Sequence, residues 1–104
     1  MEHAVIAHLI LQEGSFGSDR EREAVADLAG ELQRAIEERG VGEFDGEEFG
    51  EGRCVLYMYG RDADQLFEVA APILKAASLA HGGFVIKRYG EATDPGAIEV
   101  KSYL

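Results

Sequence analysis

Val41-Gly42-Glu43-Phe44-Asp45-Gly46-Glu47-Glu48-Phe49-Gly50-Glu51-Gly52-Arg53-Cys54-Val55-Leu56-Tyr57-Met58-Tyr59-Gly60 is the stretch on which the fold turns. Its second half is rich in β-formers and alternates with period two. Cys54, Leu56 and Met58 share one face of a strand, and Arg53, Val55, Tyr57 and Tyr59 share the other. In the first half, Glu43-Phe44-Asp45 reads as a short edge strand, and Gly46, Gly50 and Gly52 read as a loop or wide hairpin turn. A doubly wound, flavodoxin-like plan needs a helix between Asp45 and Arg53, and those three glycines argue against it. Two strands therefore follow one another with no helix between them.

Working outward, the preceding segment is a helix. Ser18 and Glu21 have the spacing of a capping box, and Asp19 and Glu21 suit the positive end of the helix dipole. Val25, Leu28, Ala29, Leu32, Ala35 and Ile36 recur at three- and four-residue spacing, and Gly40 is placed to stop the helix. Before it, residues 3–11 form a strand apolar on both faces, with Val5, Ala7, Leu9 and Leu11 against Ala4, Ile6, His8 and Ile10. After Gly60, Asp62 and Gln65 again fit a capping box, and Leu66, Val69, Ala70, Ile73, Leu74 and Ala77 form an apolar stripe. Pro72 falls inside that stripe and predicts a kink or a break. Residues 84–89 read as another strand, and residues 97–103 alternate as a possible fifth.

Strand, helix, strand, strand, helix, strand is the split βαβ plan of the ferredoxin-like α+β sandwich. It predicts one domain over residues 1–104, with an antiparallel sheet, two helices on one sheet face and an added C-terminal strand. The pairs Tyr59-Gly60 and Tyr89-Gly90, each ending a strand, hint at the internal pseudo-repeat of such folds.

A chain of 104 residues with a hydrophobic fraction of 46% can bury a core without a metal or a disulfide. Cys54 is the sole cysteine, so no internal disulfide can form. No segment has the roughly 20 consecutive apolar residues of a membrane span, and Met1-Glu2-His3 lacks the features of a signal peptide. The expectation is a cytoplasmic protein that engages no membrane. The net charge is −10, from 20 acids against 10 bases. That field repels nucleic acid, which sets aside base stacking on Tyr57 and Tyr59. It favours solubility or a basic protein partner.

Gly42-Glu43-Phe44-Asp45-Gly46, the run from Tyr59 to Phe67, and Lys87-Arg88-Tyr89-Gly90 resemble the corresponding runs of small bacterial proteins with no established activity. The resemblance covers the second half of the chain better than the first. It implies a compact ferredoxin-like α+β fold and no site residues.

The candidate sites follow from the fold. With both helices on the sheet side of Leu9, Leu56 and Met58, the reverse side carries Ile6, His8, Ile10, Val55, Tyr57 and Tyr59. Val85, Lys87 and Tyr89 are expected there too. Such a face is too apolar to stand in water without a role. It invites self-association, foremost as a homodimer, or a ligand site around His8, Tyr57, Tyr59, Lys87 and Tyr89. Otherwise the C-terminal segment, with Ile98, Val100 and Tyr103, folds back to cover it. Glu43, Asp45, Glu47, Glu48 and Glu51 form an acidic edge suited to a basic partner or a cation, but their spacing is not that of a calcium loop. Gly14 to Ser18 precede a helix but lack the Gly-Lys-Ser/Thr ending of a phosphate loop. His3, His8 and His81 do not combine with Cys54 into a metal spacing. No cofactor or catalytic constellation is implied, and the favoured reading is a non-enzymatic domain.

Overall fold

The computed structural model of the chain describes residues 2–104. The elements follow the predicted order: β1 His3–Ile10, α1 Asp19–Arg39, β2 Glu43–Gly50, β3 Arg53–Gly60, α2 Ala63–Ala76, a 3₁₀ turn Ser78–Ala80, β4 Phe84–Arg88 and β5 Glu99–Tyr103. The five strands form one sheet in the order β2-β3-β1-β4-β5, with every neighbouring pair antiparallel. This is the ferredoxin-like arrangement with β5 added at the β4 edge.

One side of the sheet packs on the helices. Val5, Ala7 and Leu9 of β1, Cys54, Leu56 and Met58 of β3, and Val85 of β4 have no solvent exposure. They meet Leu32 and Ile36 of α1 and Leu66, Ala70 and Leu74 of α2, which are equally buried. Apolar burial of this kind is the main term that offsets chain entropy.

Local signals explain the helix ends. Ser18 accepts the Glu21 N–H while the Glu21 carboxylate accepts the Ser18 N–H, completing the predicted capping box. Gly40 closes α1 in the left-handed conformation at φ 64°. Asp62 caps α2 by accepting the Asp64 and Gln65 N–H groups.

The structure departs from expectation in two places in this part of the chain. β2 is a full eight-residue strand, because its glycines serve pairing and turning instead of a loop. The register with β3 slips between Phe44 and Gly46, a bulge that takes up Asp45. The hairpin then closes through Glu51 and Gly52, both at positive φ (53° and 75°), as a tight two-residue turn of the primed type requires. α2 also runs through Pro72 unbroken, so of the expected kink or break it is the break that does not occur. Pro72 and Glu68 lie on its exposed side, where water can satisfy the Glu68 carbonyl that Pro72 cannot reach.

The chain crosses closely at one end of the sheet. A Cβ on Gly60 would sit 2.3 Å from the Val41 carbonyl oxygen, and one on Gly42 would sit 2.1 Å from the Tyr59 carbonyl oxygen. Only paired glycines allow the α1–β2 connection to pass the end of β3.

Candidate interaction face

Strand register defines the reverse side of the sheet. Its rows read Glu43, Tyr59, Ala4, Arg88 and Glu99; then Gly46, Tyr57, Ile6, Ile86 and Lys101; then Glu48, Val55, His8, Phe84 and Tyr103. No helix covers this side, and Ile6, His8, Ile10, Val55, Tyr57, Tyr59, Phe84 and Ile86 are all partly exposed. The centre is apolar and aromatic. Glu43 and Glu48 mark the β2 margin, and Arg88 and Lys101 mark the β4–β5 margin, with Glu99 the one acid there.

Within this face His8 stacks on Phe84, with ring centroids 4.6 Å apart and planes at 14°. Its Nδ1 is buried and has no hydrogen-bond partner. Burial, then Arg53, then Lys101 hold its pKa below the usual 6.5, so the ring is neutral at neutral pH. The Tyr57 hydroxyl donates to Glu48 Oε1 at 3.5 Å. Burial first, and then the Glu48 charge, raise the Tyr57 pKa, so the phenol stays protonated. A hollow of about 390 Å³ between the β2–β3 turn and His8 is lined by Glu48, Phe49, Glu51, Arg53 and Val55.

Lys87 and Tyr89 do not belong to this face, and neither does Val85. Ala7 pairs with Val85 and Val5 with Lys87, which turns both toward the helices. Phe84, Val85 and Ile86 are all apolar, so alternation gave no parity for β4, and Phe84, Ile86 and Arg88 take the open positions instead. Lys87 passes the Phe67 ring, with Nζ 5.0 Å from its centroid, to reach Asp64 Oδ1 at 3.1 Å. The Tyr89 hydroxyl donates to the same oxygen, and His3 meets the Tyr89 ring edge-on at 5.7 Å. The Tyr89 contact and then Asp64 hold the Lys87 ammonium above its ordinary pKa, against the effect of burial. The Tyr89 hydrogen bond and then Lys87 hold the Asp64 carboxyl below its own. The shared Asp64 oxygen ties Lys87 and Tyr89 to the start of α2.

The C-terminal segment does not fold back over the open face. It pairs with β4 as an edge strand, with the Tyr89 N–H donating to the Ile98 carbonyl and the Leu104 N–H to the Gly83 carbonyl.

The acidic edge does not converge. Pairing puts Glu43 and Glu48 on the open side and Glu47 on the helix side opposite Leu56, while Asp45 sits in the bulge and Glu51 in the turn. Among the described residues no group of three His, Cys, Asp or Glu side chains is arranged to hold a metal ion. A larger groove of about 870 Å³ opens where the α1 end meets the α2 start. Glu2, Glu43, Asp62 and Glu91 line it against the single base Arg61.

The loop before α1 carries an internal anion. Glu21 accepts the backbone N–H groups of Gln12 (2.8 Å), Glu13 (3.2 Å) and Ser18 (3.2 Å). These are the donors that a phosphate would use at such a loop. The Ser18–Glu21 half of this arrangement is legible from residue spacing; the reach back to residues 12 and 13 depends on how the loop curls.

No helix among the described residues is long and apolar enough to cross a membrane. Comparison with family models, curated proteins and solved structures finds no match to this chain.

Proposed function

We propose that the chain is a non-enzymatic domain that self-associates by packing its open sheet face on that of a second copy. The observation that carries this reading is the charge layout around the apolar centre of the face. A two-fold axis running along β1 lays the β2 margin of one copy, with Glu43 and Glu48, over the β4–β5 margin of the other, where Arg88 and Lys101 outnumber Glu99, the acid that shares the Glu43 row. The alternative axis, across the strands, lays each β2 margin on its own copy and sets acid against acid. Tyr57, Tyr59 and Phe84 supply the amphipathic and aromatic contacts favoured at such interfaces. Light scattering on size-exclusion peaks tests the reading. The native chain elutes with at least twice the monomer mass at micromolar concentration, and Tyr57→Glu reduces that mass while retaining the native circular dichroism spectrum. A folded monomer for the native chain defeats the proposal.

A second reading rests on the groove lined by Glu2, Glu43, Asp62 and Glu91. In a chain whose net charge is −10, this groove suits a lysine or arginine side chain of a basic protein partner. Its test is salt: such a complex weakens steeply between low and physiological ionic strength, and a salt-independent complex refutes it.

A further inference from the structure

The two edges of the sheet are treated differently. β2 is blunted by its bulge and by Glu43, Asp45, Glu47 and Glu48. β5 has no bulge in its pairing, no proline and a single lysine. Among the described residues four large apolar or aromatic side chains are exposed, and three lie in or beside β5: Ile98 at 67%, Val100 at 41% and Tyr103 at 75%. The backbone is open there as well. Ile98 and Leu104 turn their backbone groups toward β4, so by alternation Glu99, Lys101 and Tyr103 turn theirs outward.

The geometry points to β5 as a strand-pairing edge whose occupant is β5 of a second copy, antiparallel, about a two-fold axis normal to the sheet at Val100. This contact is separate from the face-to-face packing proposed above and does not depend on it. The register follows from charge. Centred on Val100, Glu99 lies opposite the partner's Lys101 and Lys101 opposite the partner's Glu99, two opposite-charge pairs on the open side of the sheet. Each is also a hydrogen-bonded pair, because residues 99 and 101 direct their backbone groups outward. Val100 faces the partner's Val100 as a non-hydrogen-bonded pair, the closer kind, on the helix side. A register centred on Lys101 would instead oppose two lysines. The same two-fold operation puts all four helices on one side and fuses the open faces into one ten-stranded surface.

Charge reversal with rescue tests the contact, in the full chain carrying Tyr57→Glu so that face packing does not contribute. The expected species is then an edge dimer. Lys101→Glu raises its dissociation constant roughly tenfold by setting two acids opposite each other, and adding Glu99→Lys to Lys101→Glu restores it. Under oxidation Val100→Cys cross-links the dimer, since a non-hydrogen-bonded antiparallel pair brings two Cα atoms within disulfide range, and Lys101→Cys does not. A monomeric Tyr57→Glu chain, an edge dimer indifferent to Lys101→Glu, or cross-linking through residue 101 instead of 100 overturns the inference. Face packing is judged separately in the Lys101→Pro chain, whose lost N–H points outward and leaves the β4 pairing intact. Association persisting there supports the face contact whatever the edge does.

Discussion

His8 lies flat against Phe84 across the β1–β4 pair, in the middle of the uncovered side of the sheet, and its buried Nδ1 is unpaired. A ring nitrogen without a partner costs stability that a carbon in its place would not. His8→Phe keeps the stack and removes the unpaired atom, so it stabilises the chain by about 1 kcal/mol at pH 7. The pH dependence has a definite sign. The folded pKa of His8 is below the unfolded value of 6.5, so the unfolded chain binds the proton more readily. The stability contribution of neutral His8 is present above pH 6.5 and is lost as pH falls through the lower folded value. Urea unfolding at pH 7.5 and pH 5.5 shows a larger loss for the native chain than for His8→Phe. Equal losses refute this account.

Glu21 satisfies three backbone donors of the β1–α1 loop with one carboxylate. Glu21→Ala leaves those donors to water and removes half of a capping box, which lowers stability by about 1–2 kcal/mol. Glu21→Gln keeps one acceptor oxygen and loses less. Chemical denaturation ranks the two, and an Ala variant as stable as the native chain contradicts the assignment.

Gly60 and Gly50 are both strand glycines and make opposite predictions. A methyl group at Gly60 meets the Val41 carbonyl oxygen at 2.3 Å, whereas one at Gly50 meets nothing within 4 Å. Gly60→Ala forces a backbone shift and costs about 2 kcal/mol or more. Gly50→Ala changes stability by less than about 0.5 kcal/mol. Thermal melts of the two variants side by side decide the matter, and similar midpoints would show that the crossing is looser than described.

Cys54 is fully buried beneath α1, and burial raises its thiol to a pKa of about 11. The thiolate is the reactive form, so the native chain reacts with a thiol-specific chromogenic disulfide far more slowly at pH 8 than the unfolded chain does. Labelling of the native chain at the unfolded rate would mean that the core opens readily near β3.

Much of this architecture is legible in the sequence because several local signals agree. Alternation over residues 53–59, Ser18 with Glu21, and Gly40 after Ile36 each fix an element without knowledge of the others. Legibility ends where one signal stands for two outcomes. Phe84-Val85-Ile86 fits either face, so the sequence alone allows Lys87 and Tyr89 on the open side, whereas they lie with α2. Glycines at 46, 50 and 52 signal a loop, a bulge or a tight turn alike, and pairing with β3 selects the last two. Pro72 disrupts a helix in isolation, but on the exposed side of a packed one its lost hydrogen bond is tolerated. The Asp64–Lys87–Tyr89 contact joins residues that only tertiary packing brings together, and no spacing rule reports it.

The His3 ring accepts the Ala63 N–H at 3.1 Å, while Asp62 takes the next two donors of α2. A free backbone donor at the helix start is therefore quenched by a side chain sixty positions earlier. An excised peptide covering residues 61–77 would lack that acceptor and would fray from its first turn. The second half of the domain thus borrows part of its helix nucleus from the opening strand, and the two halves stand or fall together.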